Sequence, residues 1–381
     1  MVDYLDSDYV HNVSHIKWAA IEGLAPIAIL LGDDTISDIL INGPQEIFIE
    51  RDGKLEKSTC VFPDEASLHT LAHNIVKSVG RSFEVGYPLV DARLPDGSRV
   101  NVIGPPLAID GTIISIRKFP RNRITIDHMI TSGNISTGLG EFLKVAGHCR
   151  MNIMISGGTG SGKTTLLNSI SRYIDNNERV VTIEDAVEIQ LQQPHVVRLE
   201  TKPLTMNQEP CEGVSIRDLL RNALRMRPDR IIVGEVRGPE AFDMLQAMNT
   251  GHEGSLTTIH ANHPRDALAR LENMISMSDL HIPMRSIRAQ IASALHLIIQ
   301  TSRMRDGVRR ITYVSEIAGI EGDMIMMNDL FTFVAKGEKK DGTIDGEFEW
   351  SGIMPRFLKR VAYYGELERL SKALGIKIPK V

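Results

Sequence analysis

The stretch Asn152–Thr165, which reads NIMISGGTGSGKTT, decides the fold of this chain. It opens with an apolar run typical of a buried parallel strand and continues into the pattern G-x-x-x-x-G-K-[ST]. A helix-compatible run follows, so the motif lies between a strand and a helix start. Glycines let backbone amides turn toward an anion, and a helix N-terminus adds unpaired N–H groups. The stretch therefore predicts a phosphate-binding loop; a plain glycine turn followed by a lysine is the alternative.

The residue types in this loop suggest separate roles in binding ATP and Mg²⁺. We predict that Lys163 neutralises the β- and γ-phosphates and that the Thr164 hydroxyl ligates Mg²⁺. The other predicted nucleotide contacts are Gly158, Thr159, Gly160, Ser161, Gly162 and Thr165.

The overall composition describes an ordinary globular protein with room for two domains. The chain has 381 residues, of which 42% are hydrophobic and 24% charged. Its formal charge of −5 argues against a nonspecific polyanion binder, although this charge does not exclude a local basic face. Cys60, Cys149 and Cys211 lie far apart, which favours a reducing, cytoplasmic compartment. The longest apolar stretch is too short to span a bilayer, so we expect any membrane role to act through partners.

The apolar pattern predicts a small α+β domain followed by an α/β domain. After the phosphate loop, apolar strands alternate with helical segments, which indicates a parallel-rich sheet flanked by helices. Within this second domain we expect one helix over Ile216–Arg227 and a last helix over Met354–Leu374. The predicted divisions are an N-terminal helical extension at 1–23, the α+β domain at 24–118, a linker at 119–135 and the α/β domain with a C-terminal extension at 136–381.

Two acidic strand ends are candidates for the chemistry. Glu184 and Asp185 follow the apolar residues 180–183, and a carboxylate there can orient or deprotonate the attacking water. The alternative is that Asp185 caps a helix. Glu235 follows the aliphatic run 231–233 and Gly234, which is the Walker B arrangement, whose carboxylate holds Mg²⁺.

One histidine and two groups of arginines complete the candidates. A neutral imidazole at His260 can donate to a phosphate oxygen, although a lone histidine on a strand is more often a core or surface residue. One group of arginines has helical spacing and forms either a solvated helix face or a subunit interface. A second group lies on or beside first-domain strands, where arginines could offset the charge of the transition state. The group with helical spacing comprises Arg217, Arg221, Arg225 and Arg227; the first-domain group comprises Arg93, Arg99 and Arg117.

Long blocks of the sequence resemble the secretion ATPase superfamily of type II and type IV secretion and of type IV pili. They look most like the CpaF/TadA branch, which assembles tight-adherence (Flp) pili. The phosphate loop reads ISGGTGSGKTTLLN and the later strand ends read VTIEDAVEIQ and RIIVGEVRGPEAF. The similarity extends from about residue 25 to nearly the end of the chain. The blocks that carry it are 37–56, 91–119, 155–168, 181–203, 217–272 and 288–300.

This resemblance implies a RecA-like ATPase domain in a homohexamer, with nucleotide bound between the two domains of a subunit. It assigns Glu184 as general base, Glu235 to Mg²⁺ and His260 to the γ-phosphate. It makes Arg99 and Arg117 the first-domain phosphate contacts. It further implies a cytoplasmic protein held at the inner membrane by pilus platform proteins, which acts on pilin indirectly.

Three other functions compete with pilus assembly. A type IV secretion traffic ATPase, which exports protein or DNA–protein substrates, shares all the motifs. A RecA-like nucleic-acid motor is disfavoured by the acidic balance and the lack of a basic-aromatic track, so we expect no nucleic-acid partner. A small-molecule kinase fits poorly with the long first domain.

Overall fold

The computed structural model forms two compact units, Met1–Arg123 and Ile124–Val381. It describes residues 21–51, 53–81, 83, 88–94, 96–119, 124–202, 213–277 and 282–378. The predicted N-terminal extension therefore lies outside the described residues up to position 20, as do Cys211 and positions 120–123 of the predicted linker. A helix, Ile126–Thr131, occupies part of the range predicted as linker.

The first unit is α+β, as predicted. In its described residues, six strands form one antiparallel sheet in the order β3-β2-β1-β6-β5-β4. The second of its helices begins where the Asp64 carboxylate accepts the Ser67 amide at 2.8 Å, and its apolar stripe is buried with one face of the sheet. The elements are α1 (Ala28–Gly32), α2 (Glu65–Ser78), β1 (Ile36–Asn42), β2 (Ile47–Arg51), β3 (Lys54–Lys57), β4 (Leu89–Arg93), β5 (Arg99–Ile103) and β6 (Ile113–Arg117).

The second unit alternates strands and helices around one sheet. The helices are α3 (Ile126–Thr131), α4 (Thr137–His148), α5 (Lys163–Ser171), α6 (Ile216–Ala223), α7 (Glu240–Asn249), α8 (Pro264–Ser276), α9 (Met284–Ala294), α10 (Leu358–Tyr363) and α11 (Leu367–Leu374). The strands are β7 (Ile153–Gly157), β8 (Val180–Glu184), β9 (Val196–Glu200), β10 (Arg230–Val233), β11 (Leu256–Ile259), β12 (Leu297–Arg303), β13 (Arg309–Glu321), β14 (Met324–Glu338) and β15 (Ile344–Trp350).

The strand order of this sheet is β15-β14-β13-β12-β7-β11-β10-β8-β9. From β12 to β9 all neighbours are parallel, and from β12 to β15 they are antiparallel. The predicted parallel-rich α/β fold is confirmed. Every residue of β7 is buried, since β11 and β12 flank this strand and helices cover the sheet. The phosphate loop therefore leaves the middle of the sheet at its carboxyl edge.

Two helix predictions were wrong in extent. The helix expected over Met354–Leu374 is two helices, because Gly365 between them has a positive φ of 73° that ends α10. The helix expected over Ile216–Arg227 stops at Ala223. Arg227, with φ of 55°, precedes Pro228, and a residue before proline disfavours the helical conformation. Within the described ranges, no helix is long and apolar enough to cross a bilayer.

Candidate functional site

The phosphate loop is a tight turn in which the glycines are sterically required. Gly160 and Gly162 have φ of 69° and 95°, a region that residues with a Cβ avoid. At Gly157 a Cβ would lie 2.4 Å from the Ser161 hydroxyl and 2.5 Å from the Thr301 carbonyl oxygen. The Ser161 hydroxyl in turn bonds the Gly158 carbonyl at 2.8 Å. The loop is thus closed on itself and braced by β12.

Lys163 begins helix α5 and turns back over the loop. Its Nζ donates to the carbonyl oxygens of Gly157 and Gly158, at 3.0 Å each. Burial lowers the pKa of this amine, with the nearby Glu235 carboxylate acting in the opposite sense. The hydrogen-bond partners of Nζ in the described part of the chain are neutral groups, two carbonyls and the His260 ring, so this buried cation is a favourable place for an anionic ligand.

Four predicted site residues lie at the carboxyl ends of four neighbouring strands. Lys163 follows β7, His260 follows β11, Glu235 follows β10 and Glu184 ends β8, and these strands are adjacent in that order. Ligands of α/β sheets bind at this edge. Residues separated by up to 97 positions in sequence are therefore brought to one side of the sheet.

His260 lies between Lys163 and Glu235 and contacts both. The ring nitrogens of His260 lie 3.4 and 3.5 Å from Lys163 Nζ. Nε2 of the same ring lies 3.3 Å from Glu235 Oε1. Burial and the Lys163 charge lower the pKa of His260 from its ordinary 6.5, so the imidazole is neutral at pH 7. A neutral ring between a carboxylate and an amine can donate to one and accept from the other.

Glu184 is held differently, by backbone rather than by the other candidates. Its side chain is buried, and Oε2 accepts the amides of Glu188 and Ile189 at 2.7 and 2.9 Å. Across from it, a Cβ on Gly234 would lie 2.9 Å from Glu184 Cγ. Gly234 therefore makes the room that Glu184 occupies, which the sequence reasoning missed. Asp185 does not cap a helix; its carboxylate faces Thr201 and Arg237.

The donors near the loop fit a hard cation such as Mg²⁺. The candidate ligands are oxygens: the half-buried Thr164 hydroxyl and the Glu235 carboxylate. Across the part of the chain that the structure describes, no three His, Cys, Asp or Glu side chains are arranged to hold a metal. Such a donor set suits a cation that takes its remaining ligands from phosphates and water. Of the other loop residues, Gly158 and Thr165 are half-buried and Thr159 is exposed.

The first-domain arginines lie side by side on one sheet face. Arg93 pairs with Arg99 and Arg99 pairs with Arg117 across β4, β5 and β6, so their side chains share a face. Arg117 Nε donates to Asp38 at 3.0 Å. This unit therefore carries a contiguous basic stripe. In the second unit, the arginine stripe of α6 is partly paired, since Arg217 and Arg221 both bond Asp243.

Two arginines near the loop were not predicted. Arg237 bonds the Glu235 carboxylate at 2.9 Å, and only its place two residues beyond Walker B could have signalled it. Arg309 begins β13 and donates through Nε to the Gly160 carbonyl at 2.8 Å. No sequence signal links Arg309 to Gly160, because 149 positions separate the two.

Comparisons with known proteins agree with this geometry. Residues 20–311 match the family described as Type II/IV secretion system protein. Conjugal transfer protein TrbB of Rhizobium radiobacter is 34% identical over 301 residues, 78% of this chain and 87% of TrbB. Type IV secretion system protein PtlH of Bordetella pertussis is 33% identical over 306 residues, 74% of this chain and 89% of PtlH. The structure of the Legionella pneumophila ATPase DotB shares the fold, with a TM-score of 0.52 and 24% identity over 77% of this chain and 80% of DotB. The chain belongs to the Type II/IV secretion system protein family.

Proposed function

We propose that this protein hydrolyses ATP to ADP and phosphate in the presence of Mg²⁺. The observation that carries the proposal is that His260 contacts both Lys163 and Glu235 beside a closed glycine loop. A cation, a neutral imidazole and a carboxylate are the groups that bind a γ-phosphate, respond to its loss and hold a metal ion. Family membership supports the same reaction.

Each residue has a distinct task in this proposal. Lys163 leaves the loop carbonyls and bonds the β- and γ-phosphates. Thr164 and Glu235 hold Mg²⁺, which offsets phosphate charge when bound. Glu184 orients or deprotonates the attacking water, and the two amides on its Oε2 keep this carboxylate fixed. His260 donates to a γ-phosphate oxygen because its depressed pKa keeps it neutral.

The decisive measurement is Mg²⁺-dependent phosphate release by the full chain. Lys163→Ala and Glu184→Gln should each lower the rate strongly, because they remove the phosphate charge partner and the water-orienting carboxylate. Lys372→Ala and Glu368→Gln are matched controls on α11, where the side chains are exposed and pair with each other. Rates near wild type in both site variants would rule out the site assignment.

The basic stripe of the first unit supports a shared site in a ring. We propose a homohexamer in which Arg99 and Arg117 contact phosphate, since both arginines lie on one sheet face, where Arg117 is exposed and Arg99 half-buried. Arg117→Ala should slow hydrolysis while the unfolding transition stays unchanged. Unchanged hydrolysis would confine the site to the second unit.

Two cellular roles fit this ATPase, and both place it in the cytoplasm at inner-membrane machinery. The sequence resemblance favours tight-adherence pilus assembly through platform proteins. The names of TrbB and PtlH, at 34% and 33% identity, favour conjugal transfer or type IV secretion of protein or DNA–protein substrates. A deletion strain separates them: loss of surface fibres supports the first role, and loss of an exported substrate with intact fibres supports the second.

A further inference from the structure

Both oxygens of the Glu235 carboxylate are occupied by side chains of the protein. Oε2 accepts Arg237 Nη2 at 2.9 Å, and Oε1 lies 3.3 Å from His260 Nε2. The Glu235 side chain is 17% exposed, so solvent reaches it poorly. Each oxygen keeps a second lone pair, but the Arg237 guanidinium puts a positive charge beside this carboxylate and repels a divalent cation that approaches it.

Of the two partners of Glu235, Arg237 is the one whose side chain is free to move away. Its backbone is fixed, because the Glu240 carboxylate accepts the amides of Arg237 and Gly238 at 2.6 and 2.8 Å. Its side chain, in contrast, is 60% exposed and makes the Glu235 bond from a flexible stem. The guanidinium can therefore move while the turn that carries it stays in place.

A second carboxylate is ready to receive the guanidinium. Asp185 Oδ2 lies 3.6 Å from Arg237 Nη1, on the other prong of the fork from the Glu235 bond. Asp185 follows β8 and Glu235 follows β10, which are neighbouring strands. A small rotation of the Arg237 side chain would lengthen one ion pair and shorten the other without breaking the backbone contacts.

We propose that Arg237 is a positioning residue that occupies the metal-binding carboxylate and is transferred from Glu235 to Asp185 when Glu235 coordinates Mg²⁺. Arg237 thereby links the acidic end of β8 to the metal at the end of β10. The inference rests on the proposed role of Glu235 in holding Mg²⁺. It adds that an internal cation competes with the metal and that Asp185 offsets this competition.

The competition is measured by the metal dependence of nucleotide affinity rather than by turnover. A fluorescent, non-hydrolysable ATP analogue is titrated into the full chain with excess EDTA and with saturating Mg²⁺. The ratio of the two dissociation constants is the metal enhancement. Electron paramagnetic resonance of Mn²⁺, added in place of Mg²⁺, reports on the metal site directly. Arg237→Gln should raise the enhancement about threefold to fivefold, the effect of removing one partly exposed ion pair.

Asp185→Asn gives the opposite sign, which a general loss of structure would not produce. It removes the acceptor for the displaced guanidinium, so the enhancement should fall, and it should have no further effect in an Arg237→Gln background. Arg285→Gln, at an exposed arginine of α9, matches the charge change and should leave the enhancement unchanged. Denaturant unfolding confirms that each variant is folded.

Two outcomes separate this inference from the proposed function. Glu235→Gln should reduce the enhancement toward one; if it does not, the metal assignment of Glu235 fails. If Glu235→Gln reduces the enhancement but Arg237→Gln leaves it unchanged or lowers it, the transfer of Arg237 is overturned and the metal assignment stands.

Discussion

Strand β10 carries a charge cluster at each of its ends, and the two clusters behave differently. At the amino end, the Arg230 side chain has no exposed area and forms a bidentate pair with Glu178 at 2.7 and 2.8 Å. It also donates to the Gly147 carbonyl at 2.8 Å. At the carboxyl end, Glu235 meets Arg237 and His260, whose side chains are 60% and 31% exposed. An arginine–glutamate pair is thus buried at one end and carried by an exposed arginine at the other.

The balance between burial and pairing explains the difference. Burial raises the pKa of Glu178, but the Arg230 bonds outweigh it and hold this pKa below its ordinary value. At the other end, burial lowers the pKa of Lys163 and its neighbouring carboxylates do not restore it. The amino-end cluster is therefore electrostatically complete. At the carboxyl end, a bound phosphate would offset the burial that lowers the Lys163 pKa.

Removal of Arg230 should produce the largest effect, on stability. Arg230→Met leaves the buried Glu178 carboxylate with Arg150 as its remaining partner, at 3.0 Å. We expect the free energy of unfolding to fall by about 3 kcal/mol, near the low end for a broken buried pair. Denaturant unfolding measures it. Arg221→Met, at a 56% exposed side chain, is the control and should change stability by less than about 0.5 kcal/mol. A loss below about 1 kcal/mol in Arg230→Met would contradict the description of a buried, electrostatically complete cluster.

Removal of Lys163 should affect hydrolysis rather than stability, the reverse of what we expect for Arg230. Lys163→Ala should lower hydrolysis about 100-fold, the effect of removing one charge-stabilising donor. Its free energy of unfolding should stay the same or rise, because an incompletely paired buried amine is lost. Phosphate release and denaturant unfolding on the same preparation test both parts. A marked loss of stability would show that the carboxyl-end cluster also holds the fold together.

Histidines at the two ends extend the comparison to pH. On the amino side of the sheet, directly before β12, His296 Nδ1 accepts the Asn152 amide at 3.0 Å, and burial lowers the pKa of His296 to about 4. Since the unfolded state binds this proton near pH 6.5, stability falls as the pH drops through this window, by about 2 kcal/mol between pH 7.5 and 5. His296→Gln should flatten that part of the unfolding profile. His260→Gln should flatten the profile less, because the His260 ring is partly exposed. Equal flattening by both variants would contradict the difference in burial between the two histidines.

The sequence allowed the residues at the carboxyl end to be placed near one another, whereas it gave no sign of the pair at the amino end. The phosphate loop is one contiguous motif, and strands of a parallel sheet necessarily deliver their carboxyl ends to one edge, so Lys163, Glu235 and His260 could be placed together. The Arg230–Glu178 pair depends on packing between residues 52 positions apart. Both residues look like ordinary surface charges in the sequence. Long-range pairs of this kind leave no local pattern, whereas the glycine loop must be local to turn its amides inward.

Substituting a glycine near each end should produce the smallest effects, and the two variants should differ in whether rate or stability falls. A Cβ at Gly234 would lie 2.9 Å from Glu184 Cγ, and Glu184 is tethered through Oε2 to two amides. Gly234→Ala should therefore displace this carboxylate and slow hydrolysis about tenfold, with little change in nucleotide affinity, because the other phosphate contacts remain. Single-turnover rates and equilibrium binding separate the two quantities. Gly337→Ala on β14, where the added methyl meets open space, is the control.

The matched change at the amino side is Gly254→Ala, whose Cβ would lie 2.7 Å from Arg230 Nη1 and 2.9 Å from Arg150 Cα. Gly254 also has φ of 87°, so alanine is strained there in addition to being crowded. This variant should lose stability, while Gly234→Ala should lose mainly rate. If Gly234→Ala instead weakened folding as much as Gly254→Ala, Glu184 would be a structural anchor for the chain after β8. The role of general base would then have to pass to another carboxylate at the site.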